Sequence, residues 1–385
     1  MNPSECDLAI IGGGPVGAAL ALALRDSGLA IALLEARPPE ALQADPRALA
    51  LSYGSRLLLQ RLGVWNAIEQ RSAIRTIHIS QKGSLGRSVL RADELEVPDL
   101  GYVLPYPALH AALWQALQDT STRCLTGATV TALHHDADAA RIDYQLDGRS
   151  RQLRARLAVV ADGGRLLEAS HPAQVHDYGQ SAVIARVTAS HARADTAFER
   201  FTSRGPVALL PYRDGYELVW TMTPAEAEQA LQSSEAEFLA RLQQHFGDRI
   251  GRFLGVGARS SFPLRLRRAQ ALTLPRTVLI GNAAQTMHPV AGQGFNMGLR
   301  DAWELAQVVQ DHAADPGCAA ALAAYEDSRR FDRAAIIRFT DGLIRLFSND
   351  LPLLKPARAA SLSVLDCLPP AKRFVARRMM FGANG

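Results

Sequence analysis

The stretch Asp7-Leu8-Ala9-Ile10-Ile11-Gly12-Gly13-Gly14-Pro15-Val16-Gly17 decides how this chain must begin to fold. Leu8 to Ile11 is a short apolar run, the pattern of a strand buried on both faces. Gly12, Gly14 and Gly17 then follow with G-x-G-x-x-G spacing. The first glycine allows a sharp turn, the second removes a side chain where a pyrophosphate would lie, and the third lets a helix pack closely on the strand. Ala18 to Ser27 is rich in Ala and Leu and predicts that helix, with Pro15 at its entrance and Gly28 at its end. Ile31-Ala32-Leu33-Leu34 predicts a second strand closing on Glu35 and Ala36. Strand, glycine turn, helix and strand make a βαβ unit. The helix N-terminus points free N–H groups at the phosphates, and Glu35 stands where a carboxylate accepts hydrogen bonds from an adenosine ribose. The same carboxylate repels a 2'-phosphate, so the site is expected to reject NADP. The motif establishes dinucleotide binding and leaves FAD and NAD both open.

Outward from this unit, the bulk of the chain is that of an ordinary globular protein. Its 385 residues suit two or three packed domains, with 48% hydrophobic and 21% charged residues. A formal charge of +4, carried almost wholly by arginine, indicates no particular partner, and no zinc-finger spacing or basic-aromatic interleaving points to nucleic acid. Cys6, Cys124, Cys318 and Cys367 form no CxxC pair, so neither a metal site nor a disulfide framework is expected. The opening Met1-Asn2-Pro3-Ser4 lacks the basic patch of a secretory signal, and a cytoplasmic location is expected.

Beyond Glu35 the chain becomes proline-rich through Arg37-Pro38-Pro39 and Asp45-Pro46-Arg47. Helices are expected over Ser52 to Leu62, Ala108 to Leu117, and Glu235 to Phe246. Another should start at Thr223-Pro224, capped by Thr223. Residues 74–104 are expected to join sheet outside the nucleotide unit. Val130 to Leu133, Ala140 to Leu146 and Leu153 to Val160 read as strands, with His134-His135 in a solvated turn. Residues 180–223 alternate as a mixed or antiparallel sheet in which Tyr212-Arg213 either ends a strand or lines a cavity. Thr277 to Ile280 is a strand, Gly281 to Gly294 a glycine-rich loop, and Asn296 to His312 a helix. Residues 319–347 and 355–381 are helical in pattern.

The loop Gly281-Asn282-Ala283-Ala284-Gln285-Thr286-Met287-His288-Pro289-Val290-Ala291-Gly292-Gln293-Gly294-Phe295-Asn296 is the second informative stretch. Its glycines call for close approach or unusual dihedrals, and Pro289 stiffens its centre. It runs into a helix whose exposed amides suit an electron-rich carbonyl edge, such as that of a flavin ring.

This loop resembles the second FAD motif of the class A aromatic-ring hydroxylases. The family usually opens it Gly-Asp-Ala-Ala-His, and here Asn282 stands in place of the acid. His288-Pro289, Gly292-Gln293-Gly294 and Asn296 follow the family pattern. The Asn-Ala-Ala-Gln variant is similar to the ubiquinone-pathway hydroxylases that act on 2-polyprenyl-6-methoxyphenol. Asp45-Pro46-Arg47 resembles the segment whose arginine contacts the FAD pyrophosphate, and Ala161-Asp162-Gly163-Gly164 resembles the Asp-Gly motif. After it this chain has Leu166-Leu167-Glu168-Ala169 where the family has a serine and an arginine. Phe347-Ser348-Asn349-Asp350, Leu365-Asp366 and Pro369-Pro370 resemble the tail of the ubiquinone hydroxylases.

The resemblance implies an α/β fold: an FAD-binding Rossmann-like domain of glutathione-reductase type (1–72, 98–175 and 265–330), an inserted mixed β-sheet substrate domain (73–97 and 176–264), and a helical C-terminal region (331–385). It implies FAD as cofactor, NAD(P)H as transient reductant and O2 as co-substrate, with a polyprenylated phenol hydroxylated to a benzoquinol. The cofactor-binding residues it implies are Gly12, Gly14, Pro15, Gly17, Glu35, Ala36, Arg47, Asp162, Gly281, Asn282, Pro289, Gly292, Gln293, Gly294 and Asn296. His288 and Pro289 are the candidate catalytic residues, His288 because imidazole takes a proton near neutral pH. Such an apolar tail calls for contact with a membrane or a lipid-carrying complex. The stretch Lys372-Arg373-Phe374-Val375-Ala376-Arg377-Arg378-Met379-Met380-Phe381 is either a membrane-facing basic helix or a helix docked on the body. The competing readings are a ubiquinone-ring hydroxylase acting at another carbon, a geranylgeranyl-type reductase of the same fold, and a flavin-binding scaffold in a lipid-modifying complex.

Overall fold

The apolar run at the start becomes the strand Glu5–Ile11, in the middle of an eight-stranded sheet. The computed structural model describes residues 5–38, 45, 47–347 and 354–382. Pro39, Pro46 and Ser348-Asn349-Asp350 lie outside the described residues, as do the first four.

Glu5–Ile11 runs parallel to Ile31–Glu35 on one side and to Arg149–Val160 on the other, with Ile10 opposite Leu33 and Val159. Arg123–Thr126 and Thr277–Leu279 extend the parallel sheet outward. These strands carry continuous apolar runs because both of their faces are buried, leaving no side on which a polar residue could reach water. Arg149–Val160 serves two functions. Its first half closes an antiparallel meander with Ala140–Leu146 and Thr129–His135, and its buried second half enters the parallel core.

A second sheet of nine strands is largely antiparallel and lies against the first unit. Its central strands are Gln174–Ala189, Gly215–Met222, Gly205–Tyr212 and Thr196–Thr202, the last running parallel to Thr76–Gln81. Strict alternation divides its side chains. Val183, Phe198, Leu209, Leu218 and Trp220 pack under helices Pro224–Gln232 and Glu235–Phe246. Ala197, Phe201 and Leu210 face the other way, toward the nucleotide unit and the C-terminal helices. Thr223 and Ser234 close capping boxes with Glu226 and Glu237, fixing where the two helices begin.

Several boundaries differ from expectation for local reasons. The first helix is Pro15–Ala23, one turn earlier than the Ala-Leu pattern suggests, because proline fits the first helical position and Gly14 is its cap. The long glycine loop contains two 3₁₀ turns and a short strand, and its helix starts at Gln293 instead of Asn296. His134 and His135 end a strand, not a turn, where His134 Nε2 lies 3.2 Å from Asp143 across the ladder. Tyr212 ends a strand and is buried, with Arg213 stacked over its ring. The C-terminal stretch breaks at Leu368 into Leu354–Cys367 and Pro369–Phe381, since Pro369 and Pro370 start a helix readily but cannot continue one. The last helix is docked: Ala376 and Met380 pack with Leu90 and Leu100, and Lys372 pairs with Glu94 and Asp366.

Candidate dinucleotide and substrate site

At the glycine turn the backbone leaves no space for side chains at two positions. Gly12 has φ of +111°, and a Cβ there would stand 2.6 Å from the Ala161 carbonyl. A Cβ on Gly17 would stand 2.0 Å from the Gly12 carbonyl oxygen. Gly14 is different. The nearest atom to a Cβ there is the Tyr106 hydroxyl at 3.9 Å, so the residue opens onto free space at the helix N-terminus. Such a gap beside unpaired N–H groups suits a pyrophosphate, and the site fits a dinucleotide on this ground. Glu35 is buried at the strand end, where Oε2 accepts the Gly13 N–H at 2.7 Å and Oε1 accepts from Arg37. Oε1 takes both the Arg37 N–H and Nε–H, whereas Oε2 retains a lone pair for a ribose hydroxyl. Ala36 is exposed beside it. Trp114 and His110 both bond the Gly13 carbonyl, holding the turn from behind.

The segment 161–164 lies directly against this turn. Asp162 accepts N–H bonds from Gly164 and Leu166, which shapes a tight bend with φ of +85° and +88° at Gly163 and Gly164. Arg47 is exposed, pairs with Asp45 and lies 5.0 Å over the Tyr106 ring.

The distal loop meets the glycine turn through Val16. A Cβ on Gly281 would touch Val16 at 3.2 Å, and one on Gly298 would stand 2.8 Å from it. Stretches nearly 270 residues apart in sequence therefore share one wall, taking 281 minus 12 as the separation. Gly292, with φ of +62°, caps the helix Gln293–Asp311 and packs against Ala50. Asn296 stitches this helix to strand Ala48–Ser52. Its Oδ1 accepts the Ser52 N–H at 2.8 Å, and its Nδ2 donates to the carbonyls of Ala50 and Gly292. Gln293 reaches the Met379 carbonyl in the last helix. Asn282 is exposed, and Gly294 has open space at its Cβ.

Beneath the loop is an ionic support that the sequence reading did not single out. Asp301 Oδ2 accepts from the Gly281 N–H and from Gln285 Nε2, while Oδ1 accepts from Arg329 at 2.8 Å. Arg329 also bonds Asp332, which in turn accepts from Arg300. Burial opposes the charge on Arg329, but Asp301, Tyr325 and Asp332 outweigh it and hold the guanidinium above its ordinary pKa.

His288 is only 1% exposed. Its Nδ1 accepts the Val290 N–H, so the proton of the neutral ring sits on Nε2, which is sealed from solvent with no partner among the described residues. Burial pushes its pKa down to about 4. The expectation that His288 takes up a proton near neutral pH is therefore corrected: desolvation keeps the ring neutral, and it is a hydrogen-bond donor awaiting an acceptor. Pro289, half-buried, precedes the turn that aims it. Tyr178 meets the imidazole edge-on at 5.6 Å.

Across from this loop lies the second sheet. Gln81, Gln180, Glu199 and Thr221 lie on four of its strands, and each has a side-chain oxygen sealed from water with no hydrogen-bond partner among the described residues. By alternation, all four share the face of Ala197 and Phe201. Unpaired buried oxygens are rare in a settled core and mark a surface that awaits a ligand. Their signal in the sequence is faint: polar residues inside apolar strands, as in Phe198-Glu199-Arg200-Phe201. Among the described residues, no helix is long and apolar enough to cross a membrane, and no cluster could hold a metal.

The geometry is that of a flavoprotein: a Rossmann-like FAD-binding unit with an inserted sheet facing its flavin-side loop. The family described as FAD binding domain matches residues 5–340. Ubiquinone hydroxylase UbiL of Rhodospirillum rubrum is 35% identical over 97% of this chain and 89% of its own length. The 3-demethoxyubiquinol 3-hydroxylase of Escherichia coli is 33% identical over 97% of this chain and 98% of its own length. The crystal structure of p-nitrophenol 4-monooxygenase PnpA from Pseudomonas putida shares the fold at a TM-score of 0.82, covering 99% of each chain at 17% identity. The chain belongs to the FAD-dependent aromatic monooxygenases, in the group of the ubiquinone hydroxylases.

Proposed function

We propose that this protein hydroxylates a ring carbon of a polyprenylated phenol of the ubiquinone type, using FAD, NAD(P)H and O2. The observation that carries this reading is the meeting of both glycine-rich segments at Val16 opposite a sheet face with four sealed oxygens. Gly12, Gly14, Pro15 and Gly17 would hold the pyrophosphate, and Glu35 with Ala36 the ribose. Arg47, Asp162, Gly281, Asn282, Pro289, Gly292, Gln293, Gly294 and Asn296 would form the rest of the cradle. Bound flavin supplies the activation of oxygen. The chain's own residues orient the phenol, exclude water and place the His288 Nε2–H toward an acceptor.

The relative whose name specifies a position acts on 3-demethoxyubiquinol. That supports a ring hydroxylase with its own regiospecificity better than the single 2-polyprenyl-6-methoxyphenol step. The test is incubation of the purified yellow protein with NADPH or NADH, isotopically labelled dioxygen and short-chain analogues of both phenols. Label is expected in one ring hydroxyl. NAD(P)H consumption with no label in any phenol would overturn the hydroxylase reading in favour of a reductase.

Peripheral contact with the inner face of the cell membrane belongs to the same proposal. Phe331 and Phe374 are 64% and 61% exposed, with Arg378 over both rings. Exposed aromatics beside cations suit an anionic lipid surface. Replacing Phe331 and Phe374 by glutamate leaves the docked side of the last helix untouched and is expected to abolish sedimentation with phosphatidylglycerol vesicles. Wild-type protein that stays in the supernatant discards the membrane role.

A further inference from the structure

Of the four sealed oxygens, the one on strand Thr196–Thr202 belongs to a carboxyl, that of Glu199. Alternation turns Phe198 toward the covering helices and Ala197, Glu199 and Phe201 toward the flavin-side loop. Phe201 stacks on Phe347 at 4.2 Å and clusters with Val290, Ile344 and Leu362. Glu199 is one step along the same face, with Ile79 and Ala208 as its cross-strand neighbours. Its Oε1 is sealed from solvent and has no hydrogen-bond partner among the described residues. The residue as a whole is half-buried, so one carboxylate oxygen is turned inward without a donor, an unfavourable arrangement that a ligand's hydroxyl would relieve.

We infer that Glu199 accepts the hydrogen bond of the substrate's ring hydroxyl and takes its proton during hydroxylation. The inference rests on the phenol-hydroxylase reading. In the step, the phenol O–H bond breaks and its electron pair stays on oxygen. The proton moves to the Glu199 carboxylate, and the resulting phenolate enriches the ortho and para carbons for attack on an electrophilic oxygen. The ring carbon bonds one atom of O2 as the O–O bond breaks, and the other atom leaves as water with the two electrons supplied by NAD(P)H. The attacked carbon then loses its hydrogen to solvent as a proton, the ring regains aromaticity, the Glu199 proton returns to the phenol oxygen, and Glu199 is neither oxidised nor reduced.

Burial alone pushes the Glu199 carboxyl up to about 7, which places a general base at the working pH. Above that pH the group is ionised and accepts a proton; below it, the group is neutral and cannot. Phenol affinity and turnover should therefore rise with pH through about 7. Among the described residues, the titratable and charged groups on the elements packed over this face are His288, Tyr178 with Asp341 and Arg345, Arg358, and Asp366 with Lys372, with the Glu217–Arg186 pair further along the sheet. None of them contributes to the shift of Glu199. His288, already neutral above about 4, does not titrate in this window.

The test compares wild-type holoenzyme with E199Q and E199D, using 2-methoxy-6-prenylphenol as probe. Calorimetry in two buffers counts protons released on phenol binding. Wild type is expected to release a fraction of a proton near pH 7, because the phenol donor favours the ionised carboxyl. E199Q should release none, lose about 100-fold in turnover and show no rise with pH. E199D should restore the pH dependence in part. E199Q with wild-type proton release and pH profile overturns the inference and leaves the hydroxylase reading intact. Glu199-dependent proton release without hydroxylation in wild type keeps Glu199 as the acceptor of the phenol hydroxyl but refutes the hydroxylase reading and, with it, proton transfer during turnover. No phenol binding by wild type refutes both.

Discussion

Gly17→Ala is expected to strip the flavin and loosen the fold together, whereas Gly14→Ala is expected to strip the flavin alone. At Gly17 the added methyl would stand 2.0 Å from the Gly12 carbonyl oxygen, which is backbone and cannot rotate away. The helix must shift off the strand, and overpacking of this kind costs about 1–3 kcal/mol or more. At Gly14 the same methyl meets nothing closer than 3.9 Å, so the cofactor-free protein should be as stable as wild type. Only a pyrophosphate lying in that gap would feel the addition. Flavin absorbance after purification, FAD titration by fluorescence, and melting of the cofactor-free forms separate the two effects. A Gly14→Ala protein that binds FAD as tightly as wild type would remove the pyrophosphate from this turn.

The second large effect is expected beneath the distal loop. Arg329 and Asp301 are 2% and 3% exposed, and Asp332 is equally buried. Arg329→Met removes the cation that bonds both carboxylates, leaving Asp301 without its guanidinium. Breaking a buried pair from one side costs about 3–5 kcal/mol because the remaining charge is uncompensated. Asp301 also holds the Gly281 amide and Gln285, so the loop should loosen and FAD affinity should fall with stability. Combining Asp301→Asn with Arg329→Met should be less damaging than the two single losses added, since no orphan charge is left between them. Urea denaturation of the cofactor-free protein measures this. A loss under about 1 kcal/mol for Arg329→Met would show that the network does not support the loop.

How much of this was legible beforehand depends on whether the signal was local. Leu8 to Gly17 specifies strand, turn and helix because each glycine answers a local steric demand, and Glu35 follows at the end of the next apolar run. Thr223 and Ser234 mark helix starts because their caps are closed three residues later. The misplaced start of the helix at Gln293 is also local: glycines at 292 and 294 read as loop, yet Gly294 lies inside the first turn of the helix, where it opens onto free space.

By itself, the sequence determined the βαβ unit, the class of its ligand and the existence of a second glycine-rich segment, since these depend on neighbours a few residues apart. Tertiary structure alone decided that the two segments meet at Val16, that Asp301 and Arg329 lie under the loop, that His288 is dry and neutral, and that Glu199 turns toward the flavin-side loop. Burial and charge pairing arise between residues brought together from distant parts of the chain, and desolvation changes the chemistry of a side chain without changing its name.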